Sequence, residues 1–115
     1  AIEAAIDARD PDRAIFQFLN SRAQDHELLS SESTAVLAEW LATRNLAPQA
    51  SKIVRRRIRI ESGRTRARLL LALARVRKAQ GNSISAHQSM LDALENEPDY
   101  KLELEIRAEL QQISN

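Results

Sequence analysis

The chain contains no cysteine. A disulfide framework and thiolate chemistry are excluded, and cysteine usage assigns no compartment, so cytoplasm and periplasm both stay open. With only two glycines it has no glycine-rich phosphate loop. Isoleucine and valine are too few, and too helically spaced, to make strands. No apolar run approaches the ~20 residues of a membrane span, and no signal peptide is visible. Three prolines and 3% aromatic residues complete the list of scarcities. What remains is rich in Ala, Leu, Glu and Arg, a composition that suits an all-helical protein. At 115 residues the chain is one domain, large enough for a core. It starts without methionine inside a helical pattern, and reads as a domain cut from a longer protein.

The most regular stretch is Leu70 to Asp99. Leu70, Leu73, Ala74 and Arg77 share one helical face. Gly81 stops that helix by taking the left-handed conformation a helix end needs. Ser83 caps the next, in which Ala86, Met90, Ala93 and Leu94 form an amphipathic stripe. Pro98 ends it and disfavours helical geometry at Glu97. Two short amphipathic helices cannot bury both stripes alone, so stacked copies are expected.

Weaker copies exist. Ala14, Ala50 and Ala86 are 36 residues apart, each five residues after a turn residue, Arg9, Asn45 or Gly81. Four residues after each alanine comes Phe18, Val54 or Met90. Leu37-Ala38 and Leu73-Ala74 repeat at the same interval, with Ile2 where the small residue would fall. Helices are expected from Asp10-Pro11 to near Asp25, from Ser30 to about Arg44, from Pro48 to about Ser62 and from Thr65 to Gln80. A last one runs from Asp99 to Ile113, with Leu102, Ile106, Leu110 and Ile113 on one side. His26 to Ser30 reads as a loop.

Through Leu73, Ala74, Gly81, Ala86, Ala93, Leu94 and Pro98 the chain resembles the tetratricopeptide repeat family. The middle unit keeps Leu37, Ala38 and Ala50, and the first keeps Ala14 and Phe18. The resemblance implies a right-handed superhelical stack of antiparallel helix hairpins. Its units are about 1–28, 30–63 and 65–98, with a capping helix at 99–114. It also implies a concave groove lined by the first helix of each unit. The interval places Glu32 beside Arg68 and Glu39 beside Arg75, with Glu3 in the row of Glu39. Ala35 and Leu71 would form the apolar floor. Arg68, Arg75 and Lys78 are loosely similar to the basic residues with which some of these proteins hold a terminal carboxylate, but the paired asparagines of that clamp are missing.

The net charge of +1 hides an uneven map. Lys52 to Lys78 carries eleven basic residues and one acid, the first 51 residues four basic and eight acidic, and the last 37 two and seven. Lys52, Arg55, Arg56 and Arg59 are spaced as one stripe on the helix from Pro48. The stripe reads either as a solvated outer face or as a site for nucleic acid or acidic lipid, without the interleaved aromatics that single-strand binders use. Arg57 falls among apolar residues, with its head expected to reach Glu61. Trp40, the only tryptophan, reads as core or groove shoulder.

His26 and His87 are isolated from any second ligand, so no catalytic, cofactor or metal site is read and the chain is not taken as an enzyme. The leading function is a protein–protein interaction scaffold whose groove binds a segment of a partner protein. Candidate contacts are Glu32, Ala35, Glu39, Arg68, Leu71, Arg75 and Lys78. The second reading is an anionic surface bound through Lys52, Arg55, Arg56 and Arg59. The third is self-association through exposed repeat ends.

Overall fold

The three turn residues set the frame. Arg9, Asn45 and Gly81 all have positive φ, at 56°, 61° and 78°. The residue after each donates its backbone N–H five residues back: Asp10 to Ala5, Leu46 to Leu41 and Asn82 to Arg77, at 3.0, 3.0 and 2.9 Å. This left-handed closure satisfies carbonyls that a helix end would otherwise leave unpaired. Its recurrence at 36 residues gives the sequence interval a geometric basis.

Glycine is the natural occupant of such a turn, and two of the three lack it. A Cβ at Gly81 would meet no atom within 4 Å, so Gly81→Ala pays only for its backbone. It should cost about 1 kcal/mol, and Arg9→Gly should stabilise by a similar amount. Urea melts of the two variants check this; equal and opposite shifts are expected.

The computed structural model describes residues 1–114. Eight α-helices and no strands occur among them: α1 Ile2–Asp7, α2 Pro11–Leu19, α3 Ala23–His26, α4 Ser31–Ala42, α5 Ala47–Ile58, α6 Gly63–Ala79, α7 Ser83–Glu95 and α8 Tyr100–Ser114. Starts follow local chemistry. Asp10, Ser30 and Asn82 accept from the backbone N–H three residues on, at 3.2, 3.1 and 3.1 Å. Asn82, not Ser83, therefore caps α7. Pro11 and Pro48 occupy the first turns of α2 and α5, where no intrahelical N–H is needed. Glu97, between the end of α7 and Pro98, leaves helical geometry with the left-handed φ of 54° common just past a helix end.

Two boundaries differ from the sequence reading. α2 ends at Leu19 rather than near Asp25, and α3 fills part of the expected loop. The Asn20 and Ser21 side chains bond back to the Phe16 and Phe18 carbonyls at 2.8 and 2.7 Å, which ends α2 early. Asp25 then accepts from the Arg22 N–H at 3.1 Å and starts α3. At the other junction Gly63, with φ 59°, opens α6 instead of only closing α5.

α1 packs on α2, α4 on α5 and α6 on α7. Between these pairs the first helices meet in order, α1 on α4, α4 on α6 and α6 on α8. α6 thus has neighbours on most sides, and Leu69, Leu70, Leu71, Leu73 and Val76 are all buried. The small residues sit at the helix contacts: Ala14, Ala38, Ala50, Ala74 and Ala86 are wholly buried. Ala50→Leu or Ala86→Leu should overpack and cost about 1–3 kcal/mol, whereas exposed Ala108 should accept leucine. Equal tolerance of all three in urea would contradict this packing.

α8 is held at its start by Asp99, which accepts from the Leu102 N–H at 2.8 Å and from Arg64 Nε at 2.7 Å. The backbone bond, then Arg64, keeps the Asp99 carboxyl below the usual aspartate range. Its folded value lies below its unfolded one, so its contribution is present above the unfolded value and is lost as pH falls through the folded one. Acid titration of helicity should therefore show less loss below about pH 4 in Asp99→Ala than in the parent.

Candidate interaction surfaces

Glu32 and Glu39 project from α4 two helical turns apart and meet Arg68 and Arg75 of α6. Arg68 donates through Nε to Glu32 at 3.3 Å and through Nη2 and Nη1 to both oxygens of Glu39, at 2.9 and 3.3 Å. Arg75 donates to Glu39 at 2.5 Å, to Glu105 at 3.0 Å and to Glu109 at 2.9 Å. Lys78 Nζ lies 3.9 Å from Glu109 and donates to Gln112 at 3.4 Å. Both pairings expected from the 36-residue interval are present, and α8 extends the row by two carboxylates.

This row is partly desolvated. Arg68 is buried, and the Glu39 and Glu109 side chains are 18% and 17% exposed. Burial alone would lower the Arg75 guanidinium; the Glu39 charge and hydrogen bonds from Glu39, Glu109 and Glu105 outweigh it and raise it above its ordinary value. Arg68 is raised for the same reason, burial being outweighed by Glu39 and Glu32. The cations Arg68, Arg75 and Lys78 face four carboxylates, so a partner's carboxylate would have to displace one already in place.

The apolar floor is not where the sequence placed it. Ala35 and Leu71 are wholly buried and offer nothing to a partner. α4 and α6 pack on each other, and α6, which also meets α5, α7 and α8, has little solvent face. Val36 and Trp40, one turn apart on α4, are half-buried instead. They line a depression of about 370 Å³ together with Arg9, Glu39, Arg68 and Lys101. Arg9 and Lys101 are exposed at its rim and have no ion pair among the described residues. The signal for this surface was the position of Trp40 one turn after Val36.

The basic stripe lies on α5, with Pro48, Ser51, Lys52, Arg55, Arg56 and Arg59 around one shallow surface. All four cations are exposed. Arg56 comes only within 4.0 Å of Glu27, and the other three have no ion pair among the described residues. Arg55 also lies near enough to Arg77 to lower that guanidinium, after burial, which is the larger cause. Arg57 does not reach Glu61. Its guanidinium donates to the Leu29 and Glu27 carbonyls and so ties α5 to the end of the α3–α4 connection. Glu61 accepts instead from Ser31 Oγ at 3.0 Å.

One pair invites a catalytic reading and fails it. Ser21 Oγ and His26 Nε2 are 2.8 Å apart. The single hydroxyl proton goes to the Phe18 carbonyl at 2.7 Å, which can only accept. His26 Nε2 must then donate to Ser21, the wrong tautomer for a general base, and its ring stacks on Phe18 at 4.3 Å. Among the described residues no group of three or more His, Cys, Asp or Glu side chains is placed to hold a metal ion, and no helix is long and apolar enough to cross a membrane. No family model matches the chain, and no curated protein or solved structure matches it.

Proposed function

We propose that the chain is a non-catalytic protein-interaction scaffold of the tetratricopeptide-repeat kind, binding a segment of a partner protein in the depression beside the α4–α6–α8 row. The observation that carries this reading is the half-buried pair Val36 and Trp40, the apolar part of a mainly charged depression that Arg9 and Lys101 also line. Hot spots of binding favour such anchors, tryptophan above all, ringed by polar groups that exclude water. The ion-pair row then acts as the rigid wall of the site rather than as its contact surface. Repeated helix–turn–helix units at a fixed interval support the family reading, since stacked units build extended concave surfaces.

A peptide library selected on the parent chain tests the proposal. Selected peptides should lose about tenfold or more in affinity on Val36→Asp and on Trp40→Ala. They should change little when Lys52, Arg55, Arg56 and Arg59 are all made Gln.

A second reading is favoured by the exposed cations Lys52, Arg55, Arg56 and Arg59 of α5, of which only Arg56 has an ion pair among the described residues. If that stripe is the site, the quadruple Gln variant alone loses binding. Affinity for duplex DNA then falls with salt at a log–log slope near −0.9 per phosphate, up to about −3.6 for four contacts.

A further inference from the structure

A cavity of about 290 Å³ lies where α5 meets α3, α4 and the connection between them. Leu29, Ile53 and Ile60 form its apolar lining. Leu29 and Ile53 are buried, whereas Ile60 is 71% exposed, a large apolar side chain standing in water. The volume falls at the lower end of ligand pockets, which run to about 300–1,000 Å³ and combine apolar walls with a few convergent polar groups.

The charged groups here are Arg56, Arg57 and Glu27. Glu27 is 67% exposed at its side chain and comes only within 4.0 Å of Arg56, so the cavity has one guanidinium in excess. Arg57 is held in place from one end. Its Nη2 donates to the Leu29 carbonyl and to the Glu27 carbonyl, the latter at 3.3 Å. Its Nε and Nη1 have no hydrogen-bond partner among the described residues, and neither is shut away from solvent. A guanidinium fixed in this way presents its remaining N–H groups in the fork that matches a carboxylate. An uncharged apolar guest would leave those donors facing it without a partner, and a cationic guest would confront Arg56 and Arg57.

We infer that this cavity binds a small free carboxylic acid with an apolar chain. The chain lies against Leu29, Ile53 and Ile60, and the carboxylate sits on Arg56 and Arg57. The cavity shares Arg56 with the basic stripe of α5 and no residue with the Trp40 depression. A nucleic acid or an acidic membrane surface would use the stripe and leave the apolar lining empty.

Octanoate below its micelle-forming concentration is the probe, followed with the full chain by NMR of the isoleucine methyls. It should shift Ile53 and Ile60 saturably and bind about tenfold tighter than 1-octanol, which lacks the charge. Hexanoate, two methylenes shorter, should bind about tenfold weaker than octanoate, and octylammonium should not bind. Arg56→Gln and Arg57→Gln should each reduce the preference for octanoate over octanol, and Ile60→Ser should weaken both ligands. Lys52→Gln combined with Arg59→Gln, on the stripe but outside the cavity, should change little, and Trp40→Ala nothing. If circular dichroism shows Arg57→Gln unfolded, Arg56→Gln carries the test. The proposal is overturned if octanol binds as tightly as octanoate, if the preference survives Arg56→Gln, or if Ile53 and Ile60 do not respond. It is equally overturned if the Lys52 and Arg59 double variant loses as much octanoate affinity as Arg56→Gln, or if an acetylated peptide ending in leucine binds tighter than octanoate.

Discussion

Leu71→Glu should unfold the protein rather than disarm a binding surface. Leu71 is wholly buried in α6, the helix with the most neighbours, among Leu69, Leu70, Leu73 and Val76. Truncating such a leucine to alanine costs about 2–5 kcal/mol through lost burial and the cavity left behind. A carboxylate in its place adds a desolvation cost of several kcal/mol that nothing there offsets. The sum is comparable with the whole stability of a small domain, about 5–15 kcal/mol. Circular dichroism and a urea melt check this. A folded Leu71→Glu variant with near-parental stability would mean that Leu71 faces solvent.

Breaking the ion-pair row at Arg75 has the next largest effect. Arg75→Gln leaves Glu39, Glu105 and Glu109 without their shared guanidinium. A fully buried pair broken at one partner costs about 3–5 kcal/mol. The Arg75 side chain is 27% exposed, which reduces the expected loss to about 1–3 kcal/mol. The specific coupling is read from a double-mutant cycle of Glu39→Gln and Arg75→Gln, which should give about 1 kcal/mol, more than an exposed pair gives. Added salt should diminish the part carried by Glu105, whose side chain is 45% exposed, before the part carried by Glu39. Additive single-mutant effects would show that the two side chains do not act together.

The turns and the small contact residues were legible in the sequence because each is set by local chemistry. The left-handed ends at Asn45 and Gly81, the caps at Asp10, Ser30 and Asp99, and the alanines at 14, 50 and 86 follow from spacing and residue type. The charge pairs Glu32–Arg68 and Glu39–Arg75 were legible for the same reason, since the interval that stacks the units aligns their side chains. The apolar floor was not. A helix enclosed on most sides is apolar nearly all round, and its periodicity no longer marks which residues meet solvent. Nothing in the pattern separates Leu71 and Ala35 from Val36; only packing does. The Arg57 partner was missed because its acceptors are backbone carbonyls of Glu27 and Leu29, roughly thirty residues earlier, and no side-chain spacing encodes those. The short α3 was hidden because hydrogen bonds from Asn20 and Ser21 end α2 before its apolar pattern runs out.

Trp40 makes the account's central claim directly measurable. It is the only tryptophan in the chain and lines the proposed site, so its fluorescence reports that depression alone. Titration with a peptide selected on the parent chain should change its emission in a saturable way, with a midpoint equal to the affinity measured by calorimetry. Val36→Asp should move both midpoints together to weaker binding. Tight binding by calorimetry with unchanged Trp40 emission, lost only when Lys52, Arg55, Arg56 and Arg59 are made Gln, would contradict the account and place the site on α5.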